Sequence, residues 1–264
     1  MLIIAERINS SRKQIAKAIA DGDRVFIQAE AKAQASAGAH YIDVNAGTFV
    51  GEEADKLKWI VDAVQEVTEL PLSIDSPDPE VIRAMLPLLK KPPLINSINL
   101  EPARIKGLLP LVLEYKTKVI ALCQSEQMMA ETTEDKVELA GRLVETLTGA
   151  GVPLDDIYID PLVYPLSTNQ QSAVATLDAI ERIMRAFPGV HTVCGLTNVS
   201  YGLPARKLIN RAFLAAAITK GLDSAIIDPT DKLLFAMLKA ATVVAGKDSF
   251  CMNYICAFRE GRVE

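Results

Sequence analysis

Eight short apolar runs punctuate this chain, and between them the apolar residues switch from continuous to helical spacing. The runs cover residues 2–5, 41–44, 72–74, 94–95, 118–122, 157–159, 192–196 and 225–227. Each is too short for a buried helix and lacks the in–out alternation of a half-solvated strand, so each reads as a strand covered on both faces. Between the runs, Leu57, Ile60, Val61 and Val64 recur at three- and four-residue intervals, as do Val81, Ile82, Met85, Leu88 and Leu89. Leu177, Ile180, Ile183, Met184 and Phe187 repeat the pattern, and so do Leu234, Met237, Leu238 and Ala241. That spacing gathers the apolar residues on one face of a helix. Gly38, Gly151 and Gly221 stand just before the second, sixth and eighth runs, where a helix ends in a left-handed residue. Eight parallel strands in about 250 residues fit a (β/α)8 TIM barrel. A doubly wound open sheet is the alternative, weakened because AERINSS follows the first run in place of a GxGxxG turn.

The 264 residues, 50% of them apolar, suffice for a large core, and no linker divides them, so residues 1–264 read as a single domain. A net charge of −5 with both signs interspersed argues against nucleic acid, which demands a basic stripe. No stretch approaches the roughly 20 apolar residues of a membrane span, and the N-terminal run is short for a signal peptide. The cysteines at 123, 194, 251 and 256 form no CxxC pair, which suits reduced thiols in the cytoplasm and gives no zinc spacing. Cys251 and Cys256, in the apolar SFCMNYICAFREG segment, read as small core residues of a terminal piece packed on the barrel. Trp59 reads as a packing residue. His40 and His191 precede or begin strands and read as structural.

In a (β/α)8 barrel the active site lies at the carboxyl ends of the strands. Those ends are polar throughout this sequence. Glu6-Arg7-Ile8-Asn9 follows the first run, and Asp43 and Asn45 belong to the second. Asp75-Ser76, Asn96-Ser97, Gln124 and Asp160 come with runs three to six, Asn198 and Ser200 follow the seventh, and Asp228 ends the eighth. For Ser76, Asn45 and Asp228 a helix cap explains the residue equally well. Asp75, Asn96 and Asp160 come directly off apolar strands, where an unpaired polar group costs about 1–3 kcal/mol, and a partner is therefore expected. Acids and amides without a basic cluster suit a flat heteroaromatic ligand rich in N–H donors, of which a pterin is one. Phosphate fits poorly without a Gly-rich loop or a Lys/Arg fork. A divalent ion between Asp75 and Asp160 is a weaker alternative, and no directly bound metal is expected.

The segments LIIAERINS, HYIDVNAG, PLSIDS, LINSIN, YIDPLVYPLS and GLTNVSYGLPAR, together with LINRAFL, resemble in order the pterin-binding methyltransferases. The similarity is to methyltetrahydrofolate:corrinoid protein methyltransferases and the folate module of cobalamin-dependent methionine synthase, and it runs over essentially the whole chain. The more distant dihydropteroate synthases carry an SRK stretch near strand seven that this sequence lacks, although a dihydropteroate synthase-like activity is the alternative. The resemblance implies a barrel that binds tetrahydrofolate or 5-methyltetrahydrofolate and exchanges a methyl group with the cobalt of a separate corrinoid protein. It makes Asp75, Asn96 and Asp160 the pterin ligands, Asn198 the catalytic partner of N5, and Arg206 a neighbour of the folate tail. Gln124, Asp43, Asn45, Glu6 and Ser200 complete the implied folate-binding set. Ala5 stands where the opening motif has glycine, and Tyr201-Gly202-Leu203-Pro204 replaces a more polar stretch.

An asparagine amide cannot give up a proton at neutral pH, so Asn198 would act through a hydrogen bond that strengthens as charge builds on N5. The chain has no DxHxxG-type cobalamin run and no thiolate cluster for homocysteine, which implies a corrinoid supplied by a partner. Such chains serve O-demethylation or acetogenesis, usually as homodimers. A folate-binding subunit without catalysis is a third reading.

Overall fold

The computed structural model of this chain describes residues 1–263, so Glu264, the last residue of the expected 1–264 unit, lies outside the described residues. Its strands are β1 (Leu2–Asn9), β2 (Tyr41–Asn45), β3 (Leu72–Asp75), β4 (Leu94–Ile98), β5 (Lys118–Leu122), β6 (Ile157–Asp160), β7 (His191–Thr192) and β8 (Ser224–Ile227). They form one parallel sheet in the order β7-β6-β5-β4-β3-β2-β1-β8. The two ends of that order meet where the Ile226 N–H donates to the Cys194 carbonyl at 3.0 Å and Ser224 Oγ donates to the Thr192 carbonyl at 2.6 Å. The sheet therefore curls into a nearly closed barrel.

The helices are α1 (Lys13–Asp21), α2 (Arg24–Ser36), α3 (Glu53–Gln65), α4 (Pro79–Met85), α5 (Pro102–Tyr115), α6 (Thr133–Gly149), α7 (Ser172–Ala186), α8 (Arg206–Thr219), α9 (Lys232–Val244) and α10 (Met252–Arg259). Leu57, Ile60, Val61 and Val64 of α3 are all fully buried, as the helical spacing requires. Leu88 and Leu89 fall outside α4, because Pro87 has no N–H to continue the ladder and the chain tightens into a 3-10 turn over Leu86–Leu88. Gly38, Gly151 and Gly221 have φ of 92°, 101° and 120°, so each takes the left-handed turn that returns the chain to the next strand.

Inside the barrel, Ile4, Leu94, Ile120 and Tyr158, one from each of four strands, and Val193, just past the end of β7, form an apolar layer with Leu2, Tyr41 and Ile226 packed on it. Such a layer makes the barrel a packed core and leaves only its ends for chemistry. Register then sets what stands above it: Asn45 of β2 lies beside Asp75 of β3, Asp75 beside Asn96 of β4, and Leu122 of β5 beside Asp160 of β6.

Three expectations change. Strand β1 continues to Asn9 through an irregularity between Ala5 and Ile8, so Glu6 sits within the strand. Strand β7 stops at Thr192, and residues 196–200 form a 3-10 turn in place of the expected strand end. Cys251 is half-buried and Cys256 exposed, because α10 lays only Ala257 into the core. No helix among the described residues is long and apolar enough to cross a membrane.

Candidate functional site

A cavity of about 670 Å³ opens at the carboxyl end of the barrel. Its lining includes Glu6 of β1, Asp43 of β2, Asp75 of β3, Asn96 of β4, Asn198 of the 3-10 turn and Arg206 of α8. Four of these side chains come from the adjacent strands β1 to β4, and the chain after β7 brings in the turn and the start of α8.

Asp43 is buried and accepts from Ser73 Oγ at 2.6 Å and from Asn96 Nδ2 at 3.2 Å. Burial pushes its carboxyl up to about 6, against the opposing pull of those two donors. Burial holds Asp75 well above the usual carboxylate range, with the charge of Asp43 adding to the rise. Glu6 is pushed to about 7 by burial, partly countered by Arg12, whose guanidinium lies 3.4 Å from its carboxylate. The floor of the cavity therefore holds carboxyls that exchange protons near neutrality, able to accept from an N–H or to donate to a ring nitrogen or carbonyl.

Several expected residues stand elsewhere. Asn45 is spent on protein: its amide donates to Asp75 Oδ2 at 3.0 Å while its oxygen accepts from Ser10 Oγ at 3.1 Å and the Gly47 N–H at 3.0 Å. It orients Asp75 from behind. Ser200 is fully buried, accepting from Arg206 Nε at 3.1 Å and donating to the Thr197 carbonyl at 3.3 Å. Arg206 also donates to the Thr197 carbonyl at 2.7 Å, which fixes the turn that carries Asn198. Gln124 lines an adjoining cleft of about 310 Å³ that shares Asp75 and Asn96 with the main cavity, and its amide donates to Glu101 at 3.2 Å. Asp160 lies outside the main cavity's lining, its Oδ1 taken by the Leu162 N–H at 2.9 Å, and burial raises its carboxyl to about 6. Ser76 and Asp228 serve the protein itself, Ser76 in the turn before α4 and Asp228 in an ion pair with Arg7 at 2.9 Å.

The expectation of a mouth without a basic cluster is overturned, since Arg12 and Lys207 join the expected Arg206 along one flank of the cavity. They come from the starts of α1 and α8, which the loops fold back over the strand ends. Asn210, one turn along α8, also lines the cavity, and its buried Oδ1 has no partner among the described residues. Helical position hid it, although LINRAFL had marked its segment. No group of three or more His, Cys, Asp or Glu side chains among the described residues is placed to hold a metal ion.

A family model described as pterin binding enzyme matches residues 6–228, from the glutamate of β1 to the aspartate after β8. The chain belongs to that family. Within the pterin-binding enzymes, the chain is 41% identical over 265 residues to the methylcorrinoid:tetrahydrofolate methyltransferase of Eubacterium limosum, covering 100% of this chain and 98% of that relative. It is 33% identical over 250 residues to the methionine synthase of Mycobacterium leprae, which covers 86% of this chain but only 20% of that much longer protein. Among solved structures, a Coxiella burnetii dihydropteroate synthase in complex with pteroic acid superposes with a TM-score of 0.71 at 17% identity, covering 93% of each chain. A Xanthomonas albilineans dihydropteroate synthase with 4-aminobenzoic acid gives 0.70 at 20% identity, over 93% of this chain and 92% of that one. Those two likenesses establish the pterin-binding barrel fold and nothing further.

Proposed function

We propose that this pterin-binding enzyme is a methyltransferase that moves a methyl group between the cobalt of a separate corrinoid protein and N5 of tetrahydrofolate. The observation that carries the reading is the 41% identity, end to end, to a protein named for that reaction. The donor set agrees with it. A pterin presents N–H donors and ring acceptors along one edge, and Asp43, Asp75 and Asn96 offer an amide and two carboxyls of raised pKa on one wall of the cavity. In this reading Asp75, Asn96 and Asp160 hold the pterin, with Asp160 acting through the acceptor capacity that the Leu162 and Gly195 N–H groups leave free. Asp43 buttresses Asn96, Asn45 buttresses Asp75, Ser200 holds Arg206, and Gln124 borders the ring from the adjoining cleft. Arg206, with Arg12 and Lys207, faces the carboxylates of the folate tail.

The chemistry divides between two residues. Asn198 is exposed at the cavity, and its side chain makes no hydrogen bond to the described residues, so its amide is free for N5. As N5 attacks the methyl carbon, the cobalt–carbon bond breaks with its electron pair remaining on cobalt, and the alkylated nitrogen must shed its proton. Glu6, titrating at about 7, takes that proton in this direction and returns it when methyltetrahydrofolate is the donor. One site thus serves both directions, and the partner sets which one runs, as in O-demethylation or acetogenesis. Free thiols at Cys123, Cys194, Cys251 and Cys256 accord with a cytoplasmic setting. Phe250 in the turn before α10, 93% exposed, and Phe258 on α10, 64% exposed, give the C-terminal segment an apolar surface that supports a homodimer.

The test is spectral. A methylated corrinoid protein mixed with tetrahydrofolate and this enzyme should convert to the Co(I) form with formation of 5-methyltetrahydrofolate. Pteroate formation from a pterin pyrophosphate and 4-aminobenzoate, with no corrinoid-dependent turnover, would place the chain with the dihydropteroate synthases instead.

A further inference from the structure

Lys136 is a lysine with none of its surface exposed. Its ammonium donates to the Ala130 carbonyl at 2.7 Å, the Pro161 carbonyl at 2.8 Å and the Leu162 carbonyl at 2.5 Å. Three acceptors meet the three N–H donors of an ammonium, so the charge is fully coordinated by main chain. Burying such a charge is costly unless every donor is used, and one turn of α6 spent this way calls for a purpose.

The carbonyls it grips belong to the loops after β5 and β6. Leu162 adopts φ of 55°, a left-handed conformation that is strained for any residue with a side chain and persists only where its surroundings enforce it. Lys136 supplies that enforcement, with Thr176 Oγ1 adding a weaker contact to the same carbonyl at 3.4 Å. The peptide so held turns the Leu162 N–H onto Asp160 Oδ1. From the neighbouring strands, the other groups facing Asp160 are the thiols of Cys123 after β5 and Cys194 after β7, both kept neutral by burial, and the Gly195 N–H. Among the described residues, Lys136 is the charge facing this carboxyl.

We infer that Lys136 is a positioning residue for the pterin site, locking the Leu162 turn against Asp160 and keeping that carboxylate ionised as an acceptor for a pterin N–H. The inference rests on the folate reading above. The sign follows from charge: an ammonium nearby favours the carboxylate, so its loss lets burial raise the Asp160 pKa further.

Tetrahydrofolate binding is followed by calorimetry between about pH 5 and about pH 9 in the unaltered protein, Lys136→Met and Lys136→Gln. The unaltered protein should lose affinity as pH falls through about 6, where Asp160 protonates. In both variants that midpoint should rise by about one unit or more. If Lys136→Met is insoluble, adding Leu162→Gly removes the left-handed strain, and the same rise is read in the double variant. Leu162→Gly alone should leave the midpoint in place. Lowered stability or affinity at an unchanged midpoint overturns the role assigned to Lys136 and leaves the folate reading standing. Absence of tetrahydrofolate binding by the unaltered protein overturns the folate reading, and this inference with it.

Discussion

The two ends of the barrel are built from the same residue types and arranged to opposite effect. At the amino end His191 bonds Asp223 at 2.6 Å and Asp155 at 3.1 Å and stacks on Tyr158 at 4.7 Å, while Lys118 reaches Asp156 at 3.1 Å. These charges meet their opposites, and the His191 pKa is raised, chiefly by Asp223. At the carboxyl end Glu6, Asp43 and Asp75 share one cavity, and burial moves all three above the ordinary carboxylate range. One end is tuned for stability. The other stores unfavourable electrostatics that a bound ring with N–H donors would relieve, as expected where active sites sit on this fold.

The difference can be broken first at the chemistry. Asn198→Ala should lower methyl transfer about 100-fold or more with tetrahydrofolate affinity nearly kept, measured by stopped-flow turnover beside calorimetry, because it removes a donor used chiefly in the transition state. A rate within a factor of about two of the unaltered enzyme removes Asn198 from the mechanism. Next in size, Asp75→Ala should weaken tetrahydrofolate binding about 10- to 100-fold, the usual range for losing a charged hydrogen bond.

Glu6→Gln sharpens the same comparison through stability. The folded-state pKa of Glu6 lies near 7, above its ordinary 4.5, so the folded protein holds that proton more tightly than the unfolded chain. Stability should therefore fall as pH rises from about 4.5 to about 7, and Glu6→Gln should recover about 1–3 kcal/mol at pH near 8 while slowing turnover. Urea melts at two pH values check both halves. His191→Ala should have the smallest effect: a loss of about 1 kcal/mol that is fully present below the ordinary histidine pKa and vanishes as pH rises through the raised folded value. Turnover should not change.

The carboxyl end was legible in sequence wherever a polar residue followed an apolar run, because register in a parallel sheet keeps equivalent positions level. Glu6, Asp75 and Asn96 are of this kind, Asp43 stands within its run, and all four line the cavity. Sequence spacing could not show which partner each would choose, so Asn45 and Ser200 looked open although both are occupied by protein contacts. Residues at helix starts were hidden for a different reason. Arg12, Lys207 and Asn210 enter the cavity only because loops fold the first turns of α1 and α8 across the mouth. Lys136 carried no signal in the sequence, since nothing in the local pattern of α6 announces three carbonyls from two loops. The seventh strand is shorter than its apolar run, because that run closes the barrel through one bridge to β8 and then turns.

The central claim is that the carboxyl-end acceptors, unlike the amino-end ion pairs, exist to hold a folate. Calorimetric titration of tetrahydrofolate into Asp75→Ala, Asn96→Ala, Asp160→Ala and His191→Ala in parallel puts it to the test. Binding should be lost or strongly weakened in the first three and unchanged in the fourth; full binding in the first three, or an equal loss in His191→Ala, would contradict it.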